Sequence, residues 1–288
     1  MPQNTNLNVS PYFDDFVDSK NYQKVLFKPG FPVQARELTT LQSILQNQIE
    51  KFGQHFFKEG SMIIPGGTSY DSEYHAVKID PNFLNIPVSN YTKVLVDNNI
   101  NIKGETSGVE ATVVNRLLSS ESVDGFDTLY VKYTKSGTDG TTKVFLDGEN
   151  LITLSDISYL NTSIAANSQF ARSIVSNSTS IGSAFSVSEG VYFIRGFFVK
   201  NVSSTVILDQ YTNTPSYRVG FLLKEETLGP SSINSDLYDN AKGFSNESAP
   251  GADRFKLSVV LHRKLITDTN DSNFVELLRV ENGVIKEI

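Results

Sequence analysis

The chain has no cysteine and no tryptophan, and only three histidines and two methionines. Without cysteine there can be no disulfide and no thiolate metal site, and stability must come from burial or assembly. The redox compartment stays open, because a cysteine-free protein survives in either. Long apolar runs are also missing: Val191–Ile194 and Phe197–Val199 are typical, far short of the roughly 20 residues that a spanning helix needs. Membrane insertion is therefore not expected. The start, Met1-Pro2-Gln3-Asn4-Thr5-Asn6, has neither a basic n-region nor an apolar h-region, so no secretory signal is expected. Basic residues are few and unclustered; the net charge is −7. That argues against nucleic acid as the main partner, since binding by counterion release needs a basic surface.

Motifs of chemistry are equally scarce. His55, His75 and His262 lack partners at metal-ligand spacing, and no metal is expected. Gly104-Glu105-Thr106-Ser107-Gly108 comes nearest to a nucleophile elbow, but its serine is displaced by one position and no helix follows. No phosphate-binding glycine motif occurs, so no cofactor is expected. Asp236, Asp239 and Asp253 with Asn240 and Asn246 form an oxygen-rich stretch whose spacing departs from a calcium loop. Asp14–Asp15 and Glu225–Glu226 are adjacent pairs; neighbours on a strand point to opposite faces, which makes either a poor acid/base dyad. An enzyme is not expected.

What is present is one strong helix and many short strands. The helix runs from Val33 to Phe57, after Pro32 and before Gly60. Leu38, Leu41, Leu45, Ile49, Phe52 and Phe56 follow helical spacing and share one face. Gln34, Gln48 and His55 lie beside that stripe, and Gly53 is its weak point, at ~1 kcal/mol against alanine. Two readings stay open: an amphipathic helix packed on its own sheet, or a helix at a homotrimer axis where glutamine layers set register.

Ahead of it, residues 1–32 carry Tyr12, Phe13, Phe16, Tyr22, Phe27 and Phe31, and read as an extended arm that docks its rings. Tyr12, Phe13, Phe16, Leu38, Leu41, Leu45, Gln48 and Phe52 are the candidate assembly contacts. Behind it the pattern is short strands with Gly/Ser/Asp turns, which predicts a mainly β chain of antiparallel sandwich or barrel domains. Residues 33–90 hold the helix and the start of a first β-domain. Residues 91–152 read as a small inserted barrel or sandwich, with short β-type runs that include Lys93–Val96 and Lys143–Leu146. Residues 153–288 continue the first β-domain and begin a further region, with a connector or short helix near Ser168–Val175, a loop at Asn234–Ala249 and a strand at Phe255–His262. The ending, Asn282-Gly283-Val284-Ile285-Lys286, looks like a chain stopped in mid-domain.

Three segments are more specific than composition. The first is Pro11-Tyr12-Phe13-Asp14-Asp15-Phe16 with Val25-Leu26-Phe27-Lys28-Pro29-Gly30-Phe31-Pro32-Val33-Gln34-Ala35-Arg36-Glu37-Leu38, continuing through the helix to Phe57-Lys58-Glu59-Gly60-Ser61. The others are Gly190-Val191-Tyr192-Phe193-Ile194-Arg195-Gly196-Phe197-Phe198-Val199, and Asp236–Asn246 with Ala249–Leu257. Together they resemble a family of large virion structural proteins of cyanophages and related contractile-tailed phages, described mostly as a domain of unknown function. Residues 104–149 are also similar, more weakly, to a small β-module of phage tail proteins. The resemblance implies a tail, baseplate or fibre component located in the virion, often trimeric, with further C-terminal domains, and it brings no catalytic residues. The rival expectations are a module that binds host-surface glycan, against which the lack of tryptophan counts mildly, and a polysaccharide depolymerase.

Overall fold

A computed structural model describes residues 3–229 and 251–286. Among its described residues the arm has no strand, only a single 3-10 turn at Asp18–Lys20. Helix α1 spans Ala35–Phe56. It starts where Gln34 N–H donates to Glu37 Oε2 at 2.8 Å, which satisfies an orphan donor and places an anion at the positive end of the helix. Strands β1 (Met62–Ile64) and β2 (Thr68–Ile79) follow, then the small hairpin β3 (Asn82–Phe83) and β4 (Ile86–Pro87). Helix α2 (Ser89–Asp97) leads into β5 (Asn101–Gly104), β6 (Glu110–Leu117), β7 (Asp127–Lys135), β8 (Asn150–Thr153), β9 (Ile157–Tyr159), β10 (Thr162–Ile164) and β11 (Gln169–Arg172). The chain continues with β12 (Thr179–Val187), β13 (Gly190–Ile194), β14 (Phe197–Asn201), β15 (Ser204–Asp209), β16 (Tyr217–Leu228), β17 (Arg254–Leu265), β18 (Phe274–Glu281) and β19 (Val284–Lys286). The fold is mainly β and its sheets are antiparallel, as the turn spacing predicts.

The largest sheet runs in the order β11-β8-β5-β6-β7-β2-β12-β15. It curls until edge strand β11 approaches the C-terminal end of β2: Asp80 N–H donates to Arg172 O at 2.9 Å, and Ile174 N–H to Lys78 O at 3.1 Å. Only a single bridge, Ile79 to Ser173, joins them, so no barrel is closed by a ladder among the described residues. Inside the curl lie Ile79, Ile102, Val113 and Phe170, plugged by Tyr91 and Leu95 of α2. Strands of the 91–152 segment thus pair through β7 with β2, in one continuous sheet. A second core forms where β12 to β15 meet the four-stranded sheet β17-β16-β18-β19. Phe185, Val187 and Tyr192 pack there against Phe221, Val275 and Val280.

Three local expectations are corrected. Lys93–Val96, expected as a strand, lies in α2. Val88, Tyr91, Thr92 and Leu95 are all buried, which is a helical period, and this burial overrides the β-preference of two valines. Lys143–Leu146 forms no strand. Its backbone is held by side chains instead: Leu146 N–H donates to Glu149 Oε1 at 2.6 Å and Phe145 N–H to Tyr133 Oη at 3.4 Å. The stretch near Ser168–Val175, expected as a connector or short helix, contains strand β11, paired with β8. The expected loop Asn234–Ala249 lies outside the described residues.

Candidate assembly surface

Helix α1 shows two faces, and the apolar one looks outward. Thr40, Ile44, Asn47, Glu50 and Gly53 are its buried residues. Leu38, Leu45, Ile49, Phe52 and Phe56 are 50%, 55%, 47%, 68% and 61% exposed. A stripe of this kind on a globular chain ordinarily faces the core. Here the inward face sets Ile44 among small and polar groups, Thr40, Asn47, Glu50 and Gly53, and Gly53 lets the helix come close to the sheet.

The turn between β13 and β14 makes that approach. Arg195 and Gly196 both take positive φ, the backbone of a two-residue hairpin turn. A Cβ on Gly196 would fall 2.7 Å from Glu50 Cβ, and one on Gly53 would fall 2.4 Å from Phe193 Cε2. Gln46 Nε2 donates to Gly196 O at 2.8 Å, and Arg195 N–H donates to Glu59 Oε1 at 2.8 Å. Burial pushes the carboxyls of Glu50 and Glu59 above their ordinary range. Gly53, a weak point when the helix is read alone, is where the ring of Phe193 leaves no room for a Cβ.

The arm binds the same body. Thr5 N–H and Asn4 N–H donate to Glu225 at 2.8 and 2.9 Å, and Thr5 Oγ1–H donates at 2.6 Å. Arg195 completes an ion pair with that carboxylate. Burial works against the charge of Glu225, but these bonds outweigh it and hold the carboxyl below its usual range. Further along, Tyr12 Oη–H donates to Asp253 Oδ2 at 2.5 Å, and this bond to a carboxylate pushes the phenol up to about 12. Asp14 is buried and accepts from Ser43 Oγ–H and from Phe16 N–H. Asp18 pairs with Lys51 at 2.6 Å.

Of the expected assembly residues, Phe16 is buried in its own chain and Tyr12 is half-buried on Asp253. Phe13 is 52% exposed. Leu38, Leu45 and Phe52 point outward, while Leu41 is half-buried. Gln48 is exposed, and its Nε2 donates to Gln23 Oε1 at 2.8 Å. Sequence reasoning missed the Glu225–Arg195 clamp, because no local pattern joins Asn4 to Glu225, 221 positions away. Tyr22, Leu26, Phe27, Phe31 and Val33, in the segment before the helix, are exposed as well.

Among the described residues no group of three or more His, Asp and Glu could hold a metal ion. His75 packs edge-on against Tyr133, His55 lies beside Phe56, and His262 is exposed. Asp236, Asp239, Asn240 and Asn246 lie outside the described residues, and Asp253 is the Tyr12 partner. Two clefts, of about 410 and 360 Å³, are lined mainly by Asn, Ser and Thr, the first beside Asn98 and Asp156 and the second beside Asn115 and Ser204. No helix among the described residues is long and apolar enough to cross a membrane.

A family profile described as a domain of unknown function (DUF4815) matches residues 10–112. The match takes in most of the arm, all of α1 and the strands as far as β6. No curated protein matches the chain, and no solved structure does.

Proposed function

We propose that this chain is a non-enzymatic structural component of a phage tail, baseplate or tail fibre, anchored to neighbouring virion proteins through its arm and helix α1. The observation that carries the reading is the outward apolar stripe of α1. The largest apolar patch on a monomer is typically about 300–600 Å² and often functional, and the five large side chains of α1, lined up on one face, make a patch at the upper end of that range. The arm supports it: its polar groups are tied to Glu225 and Asp253 while Phe13, Tyr22, Leu26 and Phe31 remain open. The sequence resemblance supplies the tail as the setting and three copies as the expected stoichiometry.

The test is peptide mass spectrometry of purified virions together with antibody labelling of the particles. Stoichiometric peptides of this chain and label on the tail are the expected result. A chain absent from particles but free in the lysate overturns the reading.

A further inference from the structure

The exposed stripe has a more exact order than amphipathicity requires. Ala35, Leu38, Gln42, Leu45, Ile49, Phe52 and Phe56 are separated by alternating steps of three and four, and all are exposed. This is the a/d seam of a coiled coil, with Leu38, Leu45 and Phe52 at d and Ala35, Gln42, Ile49 and Phe56 at a. The opposite, f positions include Thr40 and Asn47, which are buried against the chain's own fold. One side of α1 is thus spoken for within the molecule and the other follows the rule for packing against a helix. We propose that the occupant of this face is the same helix of a second copy of the chain, packed parallel and in register. The inference rests on the reading that the α1 face is an interface, and it names the partner.

Two features select a like partner and a parallel one. The positions flanking the seam are Thr39, Gln46 and Gly53 on one side and Leu41, Gln48 and His55 on the other. None carries a Lys, Arg, Asp or Glu, although charges at these positions are what select an unlike partner or repel a like one. Gln42 is the single polar residue in the seam. In parallel, in-register packing it meets Gln42 of the next copy, amide to amide. In an antiparallel pairing along the whole stripe it faces apolar side chains and loses its partners, which is the penalty that sets register.

The surface is large enough. At ~200 Å² for each large side chain, the five exposed residues of the stripe leave roughly 550 Å² open. With Leu26 and Phe31, 81% and 71% exposed in the segment leading into the helix, drawn into the same interface, this rises to roughly 850 Å². A stable interface takes about 800 Å² from each partner.

The absence of cysteine makes the test clean. Leu45→Cys in the full chain, oxidised mildly, is expected to give a disulfide-linked dimer, whereas Gln54→Cys, at an f position off the seam, stays single. Light scattering of the unmodified chain is expected to give a multiple of 31.9 kDa, falling to one copy in Ile49→Glu. The thermal melt of a disulfide-free one-copy sample checks folding, and Ile49→Gln serves if the glutamate variant melts early. Disulfide formation in a mixture of Leu38→Cys and Phe52→Cys chains, without self-linkage of Leu45→Cys, overturns the parallel arrangement. A single-copy mass for the unmodified chain at tens of micromolar overturns self-packing altogether. In that case, loss of Ile49→Glu from assembled particles would keep α1 as an interface with a foreign protein, whereas normal incorporation would remove the α1 reading too.

Discussion

Gly53 of α1 lies against the ring of Phe193, so closely that a Cβ added to the glycine would sit 2.4 Å from Cε2 and 2.6 Å from Cζ. This contact decides which side of the helix turns inward. Phe193 is fully buried and its ring also meets Phe57 and Phe198, so it has little room to yield. Gly53→Ala therefore sets a helix-propensity gain of ~1 kcal/mol against overpacking of typically 1–3 kcal/mol. Urea unfolding is expected to show a net loss of about 1 kcal/mol. A variant more stable than the parent would mean that this face does not hold the helix.

Glu225 ties down the N-terminal arm. Its folded-state carboxyl is held below the ordinary value of 4.5, so the stabilisation is complete above that value and is lost as pH falls through the depressed one. Hydrogen exchange at Asn4 and Thr5 is expected to stay slow, relative to intrinsic rates, from neutral pH down to the ordinary carboxylate range and to speed up below it. Glu225→Gln is expected to loosen the arm at neutral pH. Unchanged protection in that variant would show that the arm is held elsewhere.

Glu50 behaves with the opposite sign. Burial raises its carboxyl, so its charge works against folding at neutral pH and the penalty disappears as pH falls through the raised value. Glu50→Gln is expected to raise Tm at pH 7 and to match the parent near pH 4. A variant less stable at pH 7 would assign the carboxylate a partner that offsets its burial.

Arg218 anchors the loop between β17 and β18. Its guanidinium reaches Glu276 Oε2 at 2.5 Å and Asp271 at 3.0 and 2.7 Å. The Arg218 and Glu276 side chains are 7% and 10% exposed. Removing one partner of a buried pair costs about 3–5 kcal/mol; Asp271 is nearly half exposed and recovers water, so about 3 kcal/mol is expected for Arg218→Ala by urea unfolding. A loss below ~1 kcal/mol would mean that the pair contributes no more than a surface one.

The amino-acid sequence by itself determined that a helix ends shortly before Gly60, that most of the described chain after it is strand and turn, and that Leu38, Leu45, Ile49, Phe52 and Phe56 share one side. These follow from local rules: the period of apolar residues, glycine and proline punctuation, and the alternation of strands. Tertiary structure decided which way the helix faces. Hydrophobic period says that a stripe will avoid water, but not whether its own sheet or another molecule covers it. The choice turned on close contacts from distant parts of the chain, Gly53 on Phe193 and Gly196 on Glu50, which admit the polar side and leave the apolar side out. The same limit explains α2, where Val88, Tyr91 and Leu95 take a helical period because the curled sheet offers them a core. It explains the arm as well, since Glu225 and Asp253 meet Thr5 and Tyr12 only once β16 and β17 are paired.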